Sequence, residues 1–430
     1  MGKSMLWLFA TQLSGVILAL AVGILLGRSL GAHGQGLYQL AILIPVALTL
    51  ILALGAGATP SYLIGRGTPP ESVLGFVVML SLVTTVATGL ILLSLPEIWP
   101  LVVRRALPGG MRLMLLVYVP LQTLANGGSQ ILVAEDRMRG VLWAGLAPRL
   151  VQIATVVGVF LTHQLTVWAA SVIYVWMPLV GVVVVGWYLK GSLALRWQPD
   201  VFRTGWNFAV RGHFGNVAQF LNYRLGLYFV GLMLIARAAG LYWLGMTVSE
   251  LLWYAPAALA GVLLPRVARG EKNGEETADL ANTLGWAMVG VGLFMAVLGP
   301  LVLPLLWGAS FRGAVPILWI LLPGAMSFSW SKVLTGDLAG QGHPEWGTLA
   351  SGTGLLIVGI GGLVALMQHN LMLMAVTQCV SYLAATLVVV IGFVKVHQIP
   401  GTWRRLFSPN PGVWRHLARS LMGTRRESAS

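Results

Sequence analysis

Apolar runs long enough to cross a bilayer follow one another along almost the whole 430-residue chain, separated by short polar segments. A helix needs about 20 such residues to traverse ~30 Å of hydrocarbon. The chain is 57% hydrophobic and 9% charged, with a mean hydropathy of +0.82. A soluble core with a hydrated surface cannot be built from that composition. The sequence therefore predicts an all-α polytopic membrane protein.

Spans are expected near residues 5–27, 37–64, 72–95, 113–134, 141–162, 166–189, 206–236, 240–264, 280–308, 313–338, 346–367 and 371–396, twelve in all. The first run is longer than a signal-peptide core and reaches Arg28 without a small-residue cleavage pattern, so it is expected to stay as the first helix. Placing the amino terminus inside puts seventeen Lys and Arg residues in cytoplasmic segments. Six lie outside: Arg28, Arg104, Arg105, Arg112, Arg237 and Arg312. Positive charge favours the cytoplasmic side, so both termini are expected there.

The single cysteine, Cys379, excludes an intramolecular disulfide or a cysteine metal cluster. Although the formal charge is +14, the basic residues are scattered between apolar runs and form no patch for nucleic acid. The expected outer loops hold one acid, Glu97, and no acid pair, zinc-type His spacing or phosphate-cradling Gly loop occurs in the right context. A membrane enzyme would need such groups; a transporter does not. No cofactor is expected.

The two halves echo one another. Gly36, Leu37 and Tyr38 recur as Gly240, Leu241 and Tyr242. Pro60, Arg66 and Gly67 answer Pro265, Arg269 and Gly270. Six helices separate the copies, which gives both halves the same orientation. Two parallel six-helix bundles are the expected architecture, with a substrate site between them and alternating access as the mechanism. The expected division is a lobe at 1–189, a linker at 190–205, a lobe at 206–396 and a basic cytoplasmic tail at 397–430, which lies on lipid or is disordered.

These residues, with RSLGAHGQGLYQLA, NFAVRGHFGNVAQFLNYRLGLYFVGLML and FRGAVPILWILLPGAMSFSWSKVLTGDLAGQGHPEW, resemble the multidrug/oligosaccharidyl-lipid/polysaccharide (MOP) exporter superfamily, in its O-antigen and polysaccharide flippase branch. The resemblance implies a MATE-like fold. It also implies movement of undecaprenyl-diphosphate-linked oligosaccharide from the inner to the outer leaflet of a bacterial cytoplasmic membrane. The implied partners are that lipid-linked glycan, the bilayer and other polysaccharide-assembly membrane proteins. H+, Na+ and the membrane potential remain alternative driving forces. A cation-coupled multidrug exporter of the same superfamily is the second reading. Two positions after Arg224, where an aspartate often stands in the branch, this chain has Gly226. Twelve helices, without the additional pair of the peptidoglycan-precursor flippases, point away from lipid II.

Charges inside lipid-spanning segments are costly and tend to line polar pathways. Arg149 falls about 12 Å into its span at ~1.5 Å per residue, with Gln152 one turn on and Pro148 beside it. Guanidinium makes bidentate bonds to phosphate oxygens, so a diphosphate headgroup suits this position. The expected headgroup site comprises Arg149, Gln152, Arg211, Gln219, Asn222 and Arg224; a structural arginine bonded to helix carbonyls is the competing account. Arg211 is also near enough to the span end to snorkel. Glu250 is the carboxylate near the midplane, just before Pro256, and either binds a coupling ion or forms an internal ion pair. Lys332 and Asp337 are expected to snorkel. Gln122, Asn126 and Gln130 form a polar stripe suited to sugar or to interhelical hydrogen bonds.

Overall fold

A computed structural model describes residues 2–53, 57–94, 110–190, 196–233, 236–268, 270 and 274–409, without the side chains of 2–13, 94, 110–113, 211, 212, 261, 262, 264–266 and 268. Among these residues the chain forms helices and no strand. They are α1 (Gly2–Leu52), α2 (Thr59–Gly65), α3 (Pro70–Ser94), α4 (Gly110–Ala134), α5 (Met138–Leu161), α6 (Val167–Leu189) and α7 (Pro199–Leu232). Then follow α8 (Ala236–Glu250), α9 (Tyr254–Ala268), α10 (Gly274–Trp307), α11 (Ala314–Gly340), α12 (Glu345–Met367), α13 (Leu371–His397) and α14 (Thr402–Phe407).

Eight of these are long and apolar enough to cross a membrane by length and composition. One of the eight, α1, carries two expected spans. The other expected spans are α4, α7 and the α8–α9 pair. They are the segments diluted by polar groups: Gln122, Asn126 and Gln130 on α4, and Gln219, Asn222 and Arg224 on α7. The α8–α9 pair is broken by a 3₁₀ turn at Leu251–Trp253. Pro256 has no N–H and crowds the carbonyl four residues back, which accounts for a ladder interrupted there.

The structure corrects the expected boundary between the first two spans. The break between them falls at Gly31, whose φ of 64° and ψ of −179° are not helical, with helix on either side of it and no longer loop. Side chains other than hydrogen are excluded from that conformation. The second span ends at Leu52 rather than residue 64, and the chain resumes as α2, with Pro60 in its first turn, where a missing N–H costs nothing.

By internal contacts the chain divides into two units, residues 1–243 with 303–312, and residues 244–302 with 313–430. In unit 1, Leu63, Phe76, Val77, Leu80, Ile131, Leu132, Val185 and Leu189 from α2, α3, α4 and α6 form one buried core. α7 begins at Pro199, inside the expected linker, and lays Phe202 against Phe76 (5.7 Å between centroids) and Phe208 on Tyr62 (3.9 Å). Arg28 donates to the carbonyls of Leu305 (2.6 Å) and Leu306 (2.8 Å), which a helix end leaves without partners.

The repeat motif has a packing role. A Cβ on Gly36 would run into the carbonyl oxygen of Ala236, and one on Gly240 into that of Ala32. Ala32 and Gly36, like Ala236 and Gly240, stand four apart, so two small-xxx-small faces cross at backbone contact. The repeated glycine is thus explained by a crossing of its own two copies.

In unit 2 the expected tail contains order. Leu406 is fully buried, and Arg405 holds Asp279 through two bonds of 2.7 Å and Glu275 through another of 2.7 Å. Hydrogen bonding to Asp279 pushes Arg405 further above its already high range. The Asn282 amide donates to the carbonyls of Arg405, Leu406 and Ser408 at 2.8–2.9 Å, closing the carboxy-terminal end of α14. Removing it leaves buried carbonyls unmet, so Asn282→Ala should cost about 1–3 kcal/mol locally. Limited trypsin digestion should then cut after Arg404 and Arg405 faster than in the wild type; equal rates would mean that the amide does not hold the segment. The rest of the expected tail, from residue 410, lies outside the described residues.

Candidate functional site

Unit 1 contains a cavity of about 330 Å³ framed by α4, α5 and α6. From α4 come Tyr118, Gln122, Asn126 and Ser129; from α5, Pro148, Arg149 and Gln152; from α6, Tyr174, Met177 and Pro178. Arg149 is the one charged residue in its lining. Pro148 and Pro178 each lack the N–H that would reach back four residues. The carbonyls so released belong to Ala144 and Tyr174, which line the same cavity. Two proline-bent helices therefore add backbone acceptors to a wall that already holds a guanidinium.

Around Arg149 stand three phenols. The Tyr118 hydroxyl donates to that of Tyr174 at 3.3 Å, and their rings stack at 5.7 Å. Tyr38 meets Tyr174 edge-on at 6.4 Å, and its hydroxyl shares a hydrogen bond with Gln152. Arg149 acts electrostatically on both Tyr38 and Tyr118. Tyr38 and Gln152 are buried, whereas Arg149 is half-buried. Gln122 donates to Asn126 at 2.7 Å, which leaves that amide pair with further donors and acceptors for a ligand. The arrangement is suited to an anion at Arg149 with neutral hydroxyl-bearing groups beside it.

The structure thus joins two expected site residues, Arg149 and Gln152, with two members of the α4 stripe. Gln130 turns elsewhere and accepts from Ser61 at 3.1 Å. Gln219, Asn222 and Arg224 lie on α7 and are not among the residues lining this cavity. Asn222 is buried, and Gln219 and Arg224 are half-buried. Arg211 is helical on α7, but its side chain lies outside the described residues. The tyrosines were missed because they come from three separate helices; the repeated Gly-Leu-Tyr motif was the available pointer to Tyr38.

Glu250 is buried at the end of α8 in unit 2. Lys332 on α11 feels its charge and places Nζ 5.0 Å from the Phe328 ring centroid and 5.7 Å from that of Trp253. Instead of snorkelling, Lys332 packs among rings beside a counter-charge. Asp337 does not snorkel either: it is fully buried. Breaking a buried pair from one side strands a charge. Lys332→Met should therefore destabilise the protein by about 3 kcal/mol, and adding Glu250→Gln should restore much of the loss in thermal unfolding of purified protein. Additive losses would show that the two groups do not interact.

No family model matches the sequence, and a search of curated proteins gives no match. Solved structures do match. The lipid II flippase MurJ, in an inward closed conformation, aligns with a TM-score of 0.69 at 12% identity, over 97% of this chain and 96% of that one. An inward-facing multidrug resistance MATE family transporter gives 0.66 at 17% identity, over 89% and 93%. A MOP superfamily transporter from Pyrococcus furiosus, described by a binding pocket of reverse polarity, gives 0.65 at 15%, over 94% and 96%. The chain shares the fold of these solved MOP superfamily structures, an all-α polytopic membrane architecture, with eight of the described helices long and apolar enough to span a bilayer.

Proposed function

We propose that this protein is a transporter that moves an undecaprenyl-diphosphate-linked oligosaccharide from the inner to the outer leaflet of a bacterial cytoplasmic membrane, for cell-surface polysaccharide synthesis. The fold likeness to a lipid II flippase and to MATE transporters supports a MOP-type transporter. One observation favours the anionic lipid-linked substrate: the unit 1 cavity has Arg149 as its single charged lining residue and no carboxylate. A site for cationic drugs would call for the opposite charge.

In this reading Arg149 takes the diphosphate. The Tyr118 and Tyr174 hydroxyls extend its set of donors, and Gln122 and Asn126 meet sugar hydroxyls. Arg211, Gln219, Asn222 and Arg224 on α7 supply further headgroup contacts along the route. Both termini are cytoplasmic.

The test is reconstitution in liposomes carrying a fluorescent polyprenyl-diphosphate oligosaccharide. Protein-dependent loss of label protection against a membrane-impermeant quencher is the expected result. Absence of movement, together with ion-driven efflux of a cationic dye, would replace this reading with multidrug export.

A further inference from the structure

We propose that Asp337, His397 and Thr277 form a proton-binding site in unit 2 that couples protonation to the packing of three helix ends. Asp337 lies near the end of α11 and is 0% exposed. Its Oδ1 accepts from Thr277 Oγ1 at 2.8 Å, in the first turn of α10. Its Oδ2 lies 2.5 Å from Nε2 of His397, the last residue of α13. Three helices therefore converge on one carboxylate. The imidazole is 10% exposed and lies 4.4 Å from the Phe393 ring. On its other side is Gly274, where a Cβ would collide with Nδ1. The ring thus packs directly on the first residue of α10.

With Nε2 donating to Asp337, Nδ1 is the atom that gains or loses a proton. The change breaks or forms one N–H bond and nothing else. Protonated, the cluster is a neutral imidazolium–carboxylate pair; deprotonated, it carries one net negative charge. A net charge held out of water is disfavoured. Loss of the proton therefore favours separation of the helix ends and entry of water, and its gain favours closure. The end of α13 also carries the negative pole of its helix, which favours a cation there.

The other charged groups on the packed elements are these. On α10 stand Glu275, Glu276 and Asp279, and Arg405 of α14 binds the first and third. On α13, Lys395 places Nζ 5.6 Å from the Trp346 ring centroid of α12. Lys332 of α11 lies against Phe328 and Trp253, and Glu345 of α12 pairs with His343 at 2.8 Å. Histidine is the side chain whose charge ordinarily changes between about pH 5 and 8. The site stands on unit 2 geometry and does not depend on the headgroup reading of the Arg149 cavity.

The experiment uses the full chain, labelled with ¹⁵N-histidine, in lipid nanodiscs at a series of pH values. His397→Gln keeps an amide donor to Asp337 and removes the titration; Asp337→Asn assigns the resonance by its shift. The expected result is an imidazole signal that moves with pH in the wild type and is absent from His397→Gln. Amide protection at the start of α10 and the end of α13, corrected for the intrinsic pH dependence of exchange, should fall several-fold as the Nδ1 proton is lost, in the wild type only. A His397 signal fixed in one protonation state, or exchange in His397→Gln that retains the wild-type pH dependence, overturns the proposal. If His397→Gln does not fold, the wild-type titration and its coincidence with the exchange change decide the matter alone.

Discussion

Arg149→Ala should reduce leaflet-to-leaflet movement of the diphosphate-linked substrate by at least about 100-fold while leaving the protein folded in the membrane. The magnitude follows from losing charge-assisted bonds to phosphate at a half-buried arginine, about 3 kcal/mol. Folding should survive because Arg149 is half-buried on a cavity wall and is not a member of the apolar core around Phe76 and Leu132. Arg149→Lys keeps the charge but loses the planar fork, so it should fall between the two. Gln152→Ala should have a smaller effect, because Gln152 acts through the Tyr38 hydroxyl as well as on the cavity. Leaflet-movement rates in reconstituted vesicles, with thermal unfolding as the folding control, measure each. Full activity in Arg149→Ala would remove the arginine from the headgroup site.

The largest structural effect should come from the repeat glycines. Gly36→Leu forces a side chain into the Ala236 carbonyl, and Gly240→Leu into that of Ala32. Both obstacles are helix backbone, which cannot rotate aside, so the two helices must part. A loss of about 4 kcal/mol or more is expected for either, enough to prevent a monodisperse protein from accumulating. Gly186 on α6 and Gly359 on α12 have no atom within 4 Å of an added Cβ. Alanine at either should leave the unfolding temperature nearly unchanged. Size-exclusion profiles of the four variants separate the two classes; normal profiles for both leucine variants would contradict the crossing.

Membrane helices were legible because length and apolarity alone decide whether a segment spans lipid. Arg149 with Gln152 was legible for a local reason, since three residues on a helix bring two side chains to one face. Pro256 likewise announced the interruption beside Glu250. The narrowing of the break between the first two spans to the single residue Gly31 was not legible. Gly, His and Arg across residues 28–36 read as a loop, whereas helix lies on both sides of Gly31 and Gly36 packs against Ala236 and Gly240. The tyrosine cluster and the Asp337 site join side chains from helices far apart in the chain, a relation no local pattern encodes. α14 was obscured by its basic composition, which hid the acidic partners Glu275 and Asp279.

Native mass spectrometry of the purified protein with a short-chain polyprenyl diphosphate, the matching monophosphate and tetraphenylphosphonium tests the central claim most directly. Binding that is strongest for the diphosphate and lost in Arg149→Gln is the predicted result. Preferential binding of the phosphonium cation, or diphosphate binding indifferent to Arg149, would contradict an anionic headgroup site in unit 1.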